Sequence, residues 1–157
     1  MSRTHTKKSV IRSSENNSSK GGLSVLQQIN EMEIVVRSTE IDVNGHVNNA
    51  KYLEYLEWGR EDWYEQFGLD YDTLKRMDVV TVVAHISADY RAEAIQNDRL
   101  RIKTWLDSVR NTSLTMKQTI TNHKGILVLE ASVVIVTVSA TTHAKIRVPD
   151  VLRQLQS

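Results

Sequence analysis

One amphipathic helical stretch followed by four strand-like runs is the feature that most limits the folds open to this chain. From Asn48 to Phe67 the apolar Tyr52, Leu53, Leu56, Trp63 and Phe67 fall on one side, with small Gly59 among them. Glu54, Glu57, Glu61 and Glu65 form the opposite stripe at steps of three and four. Asn48 is a natural N-cap and Gly68 a natural residue just past the C-terminus, so the helix limits are legible as well. A β-like run, Glu33–Thr39, precedes it, and a second short helix is predicted over Asp70–Met77. Strands are predicted at Val79–Arg91, Arg99–Arg110, Ser113–Asn122 and Ile126–Val138. The links Gln96-Asn97-Asp98 and His123-Lys124-Gly125 are turn-like and short, which implies antiparallel hairpins. Pro149 opens a last short helix through Leu155. One long helix packed on one face of an antiparallel sheet is the simplest α+β solution. The run Val133-Val134-Ile135-Val136 is too apolar for a half-exposed strand, so part of the sheet is expected to be covered by another subunit.

With 157 residues the chain suits one domain. Residues 1–30 are expected to form a basic, disordered extension before a folded domain at 31–157. Arg3, Lys7, Lys8, Arg12 and Lys20 stand there against Glu15 alone, and little in the segment can be buried, so ordering it has no offset. The net charge of +1 is therefore the sum of a basic tail and a mildly acidic domain. The tail lacks an apolar core and is no secretory signal. It shares its basic, acid-poor character with organellar transit peptides, so import into an organelle stands as the alternative to a cytoplasmic location. It lacks the interleaved aromatics of a nucleic-acid binder. No apolar run is long enough for a spanning helix. Cysteine is absent, which excludes a thiol nucleophile, a zinc–thiolate site and disulfides.

The segment that carries chemistry joins the first strand to the long helix: Asp42-Val43-Asn44-Gly45-His46-Val47-Asn48-Asn49. Asp42 supplies a carboxylate able to act as base or nucleophile. Gly45 lets the backbone approach a ligand. The helix start offers unpaired N–H groups to an oxygen that gains negative charge. Such a set is equipped to attack a carbonyl. Asp-x-Asn-Gly is also ordinary turn chemistry, and Asn48 is ordinary capping. The later acidic ligands of a calcium loop are missing, and His46 has no second ligand at metal spacing, so no metal site is expected.

Asp42-x-x-Gly45-His46-Val47-Asn48-Asn49-Ala50-x-Tyr52-Leu53-Glu54-Tyr55 resembles the signature of hot-dog-fold acyl thioesterases, in the 4-hydroxybenzoyl-CoA and short acyl-CoA thioesterase branch. The stretch Asp42–Asn49 also resembles the motif of acyl-carrier-protein thioesterases. The resemblance implies a long helix wrapped by about five antiparallel strands, and dimers joined edge to edge that often build tetramers. It implies an active site at the subunit interface, and an acyl-CoA or acyl-carrier-protein substrate hydrolysed without a cofactor. Asp42 corresponds to the catalytic carboxylate, as nucleophile or general base, and Asn44 and His46 to the other motif residues. Backbone N–H groups near Val47, Asn48 and Asn49 would polarise the thioester carbonyl, with Gly45 letting the backbone approach the substrate, and Tyr52, with Tyr55 and Trp58, either lines the acyl pocket or simply packs in the core or interface. Arg110, before Asn111-Thr112-Ser113, would meet the CoA phosphates. A non-hydrolytic acyl-CoA-binding module is the reading from another class. Glu57 and Glu61 are read as a solvated face, and His85 as a core residue.

Overall fold

Helix α1 spans Asn49–Gln66 in the computed structural model, which describes residues 9–10 and 28–156. Its ends follow from local chemistry: the Asn48 side chain accepts a hydrogen bond from the Ala50 N–H at 2.9 Å, and Phe67 is the C-cap before Gly68. Tyr52, Tyr55, Leu56, Gly59 and Trp63 form the buried face. Leu53 does not belong to it. It is 41% exposed, because one residue beyond Tyr52 the helix has turned about 100°. Arg60 and Asp62 are buried charged residues that the apolar pattern did not single out. A second helix, α2 (Tyr71–Arg76), is capped by Asp70, whose carboxylate accepts from the Thr73 N–H.

The sheet consists of β1 (Ser9–Val10), β2 (Asn30–Val35), β3 (Val79–Tyr90), β4 (Arg99–Val109), β5 (Ser113–Asn122) and β6 (Leu127–Ser139). The order across it is β1-β2-β4-β5-β6-β3, antiparallel throughout. Five strands carry the architecture and β1 adds a two-residue edge, in agreement with the α+β expectation. The first long strand begins earlier than the sequence suggested, at Asn30, and ends at Val35, before a 3₁₀ turn at Ser38–Glu40. The disorder expected of residues 1–30 and the transit-peptide reading fall almost wholly outside the described residues. The C-terminal helix α3 is short, Asp150–Arg153.

One expected hairpin is absent. The turn-like Gln96-Asn97-Asp98 does not fold β3 back onto β4. Both edges of β4 are occupied, by β2 and β5, and β3 pairs with β6 at the far edge. Residues 91–98 instead cross over to the other side of the sheet. Backbone bonds hold this crossover: Arg91 N–H to Val128 O (2.8 Å), Val47 N–H to Ala94 O (2.9 Å), Asn97 N–H to Val36 O and Val36 N–H to Asp98 O (both 3.0 Å). His85, read as a core residue, is exposed on β3, the outermost strand.

Among the described residues the interior has two apolar clusters. One gathers Val47, Tyr52, Tyr55 and Leu56 with Leu100, Ile102, Ile120 and Leu129. The other gathers Trp63, Leu74 and Val79 with Leu106, Met116, Val133, Ile135 and Leu152. A polar band lies near their junction. Gln118 donates from Nε2 to the Leu56 carbonyl (2.8 Å) and to Thr104 Oγ1 (2.9 Å), and its Oε1 accepts from Arg60 Nη1 (3.0 Å). Asn30 donates to Asp62 at 2.8 Å. Satisfied in this way, the buried groups avoid the penalty of unpaired polar atoms. Burial still holds the Arg60 guanidinium below its ordinary pKa.

Gly59 makes this band possible. A Cβ there would stand 2.7 Å from Ile102 Cγ2 and 3.0 Å from both Gln118 Nε2 and Thr104 Oγ1. The helix touches the sheet where it lacks a side chain. We therefore expect Gly59→Ala to lower unfolding stability by about 1–2 kcal/mol, since overpacking outweighs the gain in helix propensity. Urea denaturation with an unchanged m-value would check this, and an equal or higher midpoint would contradict it.

Candidate active site

The loop between β2 and α1 is closed by its own backbone. An isolated antiparallel bridge joins Ile41 to Val47. Inside it the Asp42 N–H donates to His46 O (2.9 Å) and the Gly45 N–H to Asp42 O (3.0 Å). The turn needs Gly45 because φ there is +80°. Its Cβ position is open, so the observed requirement for glycine is conformational. Asp42 Oδ1 accepts from the Asn44 N–H at 2.9 Å, an Asx turn that orients the carboxylate. Its other oxygen has no hydrogen bond among the described residues. Val43 is fully exposed, and Asn44 and Gly45 lie at the surface.

The backbone donors expected over Val47–Asn49 are divided. The Val47 N–H is taken by Ala94 O, and the Asn48 N–H by Glu40 O at 2.9 Å. The Asn48 side chain caps the Ala50 N–H. The Asn49 N–H, at the first position of the helix, has no acceptor among the described residues, and it sits at the positive end of the helix dipole. The site thus joins one oriented carboxylate to one open amide at a helix start.

His46 lies beside Glu93 of the crossover, Nε2 to Oε2 at 3.0 Å. For the neutral imidazole this contact calls for the proton on Nε2 and leaves Nδ1 as the acceptor. Glu93 escaped the sequence reading because nothing periodic marks it. Tyr90 likewise enters the site region, donating its hydroxyl to Asn49 O at 3.2 Å and meeting the Tyr52 ring edge-on at 5.5 Å. Tyr52 is buried, and burial pushes its phenol up in pKa, with a hydrogen bond at the Ala94 backbone acting in the other direction. Tyr55 is fully buried and packs between Tyr52 and the half-exposed Trp58.

Asp42, Asn44, Gly45, His46, Val47, Asn48, Asn49 and Tyr52 therefore share one end of the fold. Arg110 does not join them within the protomer. It occupies the β4–β5 turn, where its carbonyl accepts from Arg153 Nη2 at 2.8 Å. That turn lies roughly 30 Å along β4 from Leu100, which packs with Val47 and Tyr52. Glu57 and Glu61 are exposed, as expected of a polar stripe. They also line a cavity of about 460 Å³ between α1, α2 and the start of β3, with Leu69, Leu74, Val79 and Ile135 as its apolar wall. Among the described residues no cluster of His, Asp and Glu could hold a metal ion, and no helix is long and apolar enough to cross a membrane.

Residues 36–155 match the model of the thioesterase-like superfamily. The long-chain acyl-CoA thioesterase FadM of Escherichia coli K12 is 31% identical over 125 residues, covering 79% of this chain and 94% of that protein. The acyl-CoA thioester hydrolase YbgC of Escherichia coli O6:H1 is 32% identical over 99 residues, covering 63% of this chain and 74% of its own length. Among solved structures, the probable thioesterase YbaW from Escherichia coli superposes with a TM-score of 0.71 at 28% identity, covering 81% of this chain and 98% of that one.

Proposed function

Because the chain belongs to the thioesterase-like superfamily, we propose that it hydrolyses acyl-CoA thioesters to free acid and CoA, with Asp42 as the acting carboxylate. The observation that carries this reading is the Asp42 side chain, oriented by the Asn44 N–H in the loop that leads into the start of α1, where the Asn49 amide has no acceptor among the described residues. Attack on the thioester carbonyl moves charge onto its oxygen. The Asn49 N–H and the helix dipole oppose that charge with favourable electrostatics. Asp42 attacks the carbonyl carbon directly, or takes the proton of a water that does so. In the first case the C–S bond breaks to release a thiolate and leave a mixed anhydride for water to cleave. In the second the acid forms in one hydrolytic step. His46, steadied by Glu93, holds the attacking water through Nδ1. Asn44 acts through its backbone N–H, and no cofactor or metal is required by either route.

The active unit in this reading is a homodimer, alone or within a tetramer. Strand β3 has 12 residues, pairs among the described residues with β6 on one side only and carries Val82 and Val83 at 47% and 44% exposure. An unpaired, apolar edge of that length invites a second copy. Antiparallel pairing about the middle of β3 brings the Tyr90 end of one copy beside the Val79 end of the other. The cavity near Val79 would then face the partner's catalytic loop and receive the acyl group. We propose the cytoplasm as its location, after its bacterial relatives.

Asp42→Asn should cut acyl-CoA turnover on the order of hundredfold or more with folding intact. Full retained turnover would sink the assignment. Label on the Asp42 carboxylate after single-turnover hydrolysis in ¹⁸O-water would identify Asp42 as the nucleophile, with water cleaving the anhydride at the Asp42 carbonyl carbon. Glu93→Gln is expected to lower kcat by about tenfold, and an unchanged kcat would remove the His46–Glu93 pair from the mechanism. Val83→Glu should shift the sedimentation profile from dimer to monomer; an unaltered profile would place the interface elsewhere.

A further inference from the structure

Two residues outside the Asp42–Asn49 loop pin it to the helix, and we propose that Glu40 and Tyr55 are positioning residues for the thioester reaction. The inference rests on the reading of Asp42 given above. Tyr55 stands in the second turn of α1 with 0% exposure. Its hydroxyl donates to Glu40 Oε2 at 2.7 Å. The same oxygen accepts from the Arg37 N–H at 2.8 Å, and the Glu40 carbonyl accepts from the Asn48 N–H at 2.9 Å. One residue thus ties together the entrance of the loop, the N-cap and the second helical turn.

The need for such a tie follows from the loop's surroundings. Residues 43–45 are exposed, and a Cβ at Gly45 would meet nothing within 4 Å among the described residues. The orientation of Asp42 then depends on where the two ends of the loop are fixed. Ala94 fixes the Val47 end through its carbonyl. Glu40, two residues before Asp42, fixes the other. Tyr55 cannot swing away, because its ring meets Tyr52 edge-on at 5.8 Å and Trp58 at 5.5 Å. Burial, aided by the Glu40 carboxylate, raises the Tyr55 phenol far above its ordinary pKa, so it remains a donor throughout the working pH range. An error of about 1 Å in a reacting group can cost on the order of a hundredfold in rate, so a contact that fixes the loop carrying the Asp42 carboxylate affects turnover more than affinity.

The test is steady-state hydrolysis of an acyl-CoA by the full chain, with rates referred to folded enzyme and Asp42→Asn measured alongside. Tyr55→Phe removes only the hydroxyl and should lower kcat about tenfold with KM within about twofold. Glu40→Ala should do the same, which keeps the test available if Tyr55→Phe does not fold. Glu40→Gln retains an acceptor oxygen and should recover most of the loss. The Tyr55→Phe/Glu40→Ala double variant should be no worse than the poorer single one, since the two residues share one contact. A purely structural pair would lower the melting temperature and leave kcat per folded enzyme unchanged; that result, or additive losses, would overturn the proposal. If Asp42→Asn is inactive while Tyr55→Phe keeps its kcat, this inference alone fails. If Asp42→Asn keeps full turnover, the reading of the site falls and this inference with it.

Discussion

The close seat of α1 on the sheet at Gly59 is the constraint on which the rest depends. Without a side chain at that position, the helix backbone comes within reach of Ile102, Thr104 and Gln118. Gln118 then bonds directly to a helix carbonyl and to Arg60. The apolar clusters lie to either side, one under the first turns of the helix and one under the last. Helix position, and with it the position of the helix N-terminus, is therefore set by a polar contact in the middle of an otherwise apolar layer. Burying those groups is tolerable only because they are mutually satisfied.

From that seat the candidate site follows outward. The start of α1 meets the β2–α1 loop, and the crossover from β3 to β4 passes beside both. Ala94 takes the Val47 amide and Glu93 faces His46. A thioester site needs an oriented carboxylate, a donor for the developing oxyanion and a dry surface for the acyl group. In the proposed mechanism the protomer supplies the first two at one end of the sheet, as Asp42 and the Asn49 N–H. The cavity beside α2 lies near the other end, and among the described residues the outer edge of β3 there is open. In the proposed dimer, symmetric pairing of that edge would unite them.

The sequence was most informative where structure is local. The Asn48 cap, the limits of α1 and the span Ser113–Asn122 agree with the fold because capping and two-residue alternation are written within a few residues. The same is true of the Asp42–Asn49 segment, whose turn residues act on their own neighbours. Reading failed where the outcome depends on competition between distant partners. The turn at Gln96-Asn97-Asp98 is present, with Asn97 at φ +70°, but β4 already has β2 and β5 as neighbours and no edge remains for β3. Leu53 was misplaced because an apolar residue adjoining the buried stripe looks like part of it. Arg60, Asp62 and His85 were unreadable for a related reason: burial or exposure of a polar side chain depends on what faces it from other strands.

By itself, then, the amino-acid order determined one helix with its caps, a set of strands, a thiol-free chemistry and a carboxylate on a glycine turn ahead of a helix. Those are short-range facts of backbone conformation and composition. Only the tertiary structure decided which amides at the helix start remain open, that Glu93 stands 3.0 Å from His46, and that Tyr55 reaches back to Glu40. These choices need segments separated by tens of residues to meet. Their geometry comes from the crossover path and from the depth at which α1 sits on the sheet, which no local pattern encodes.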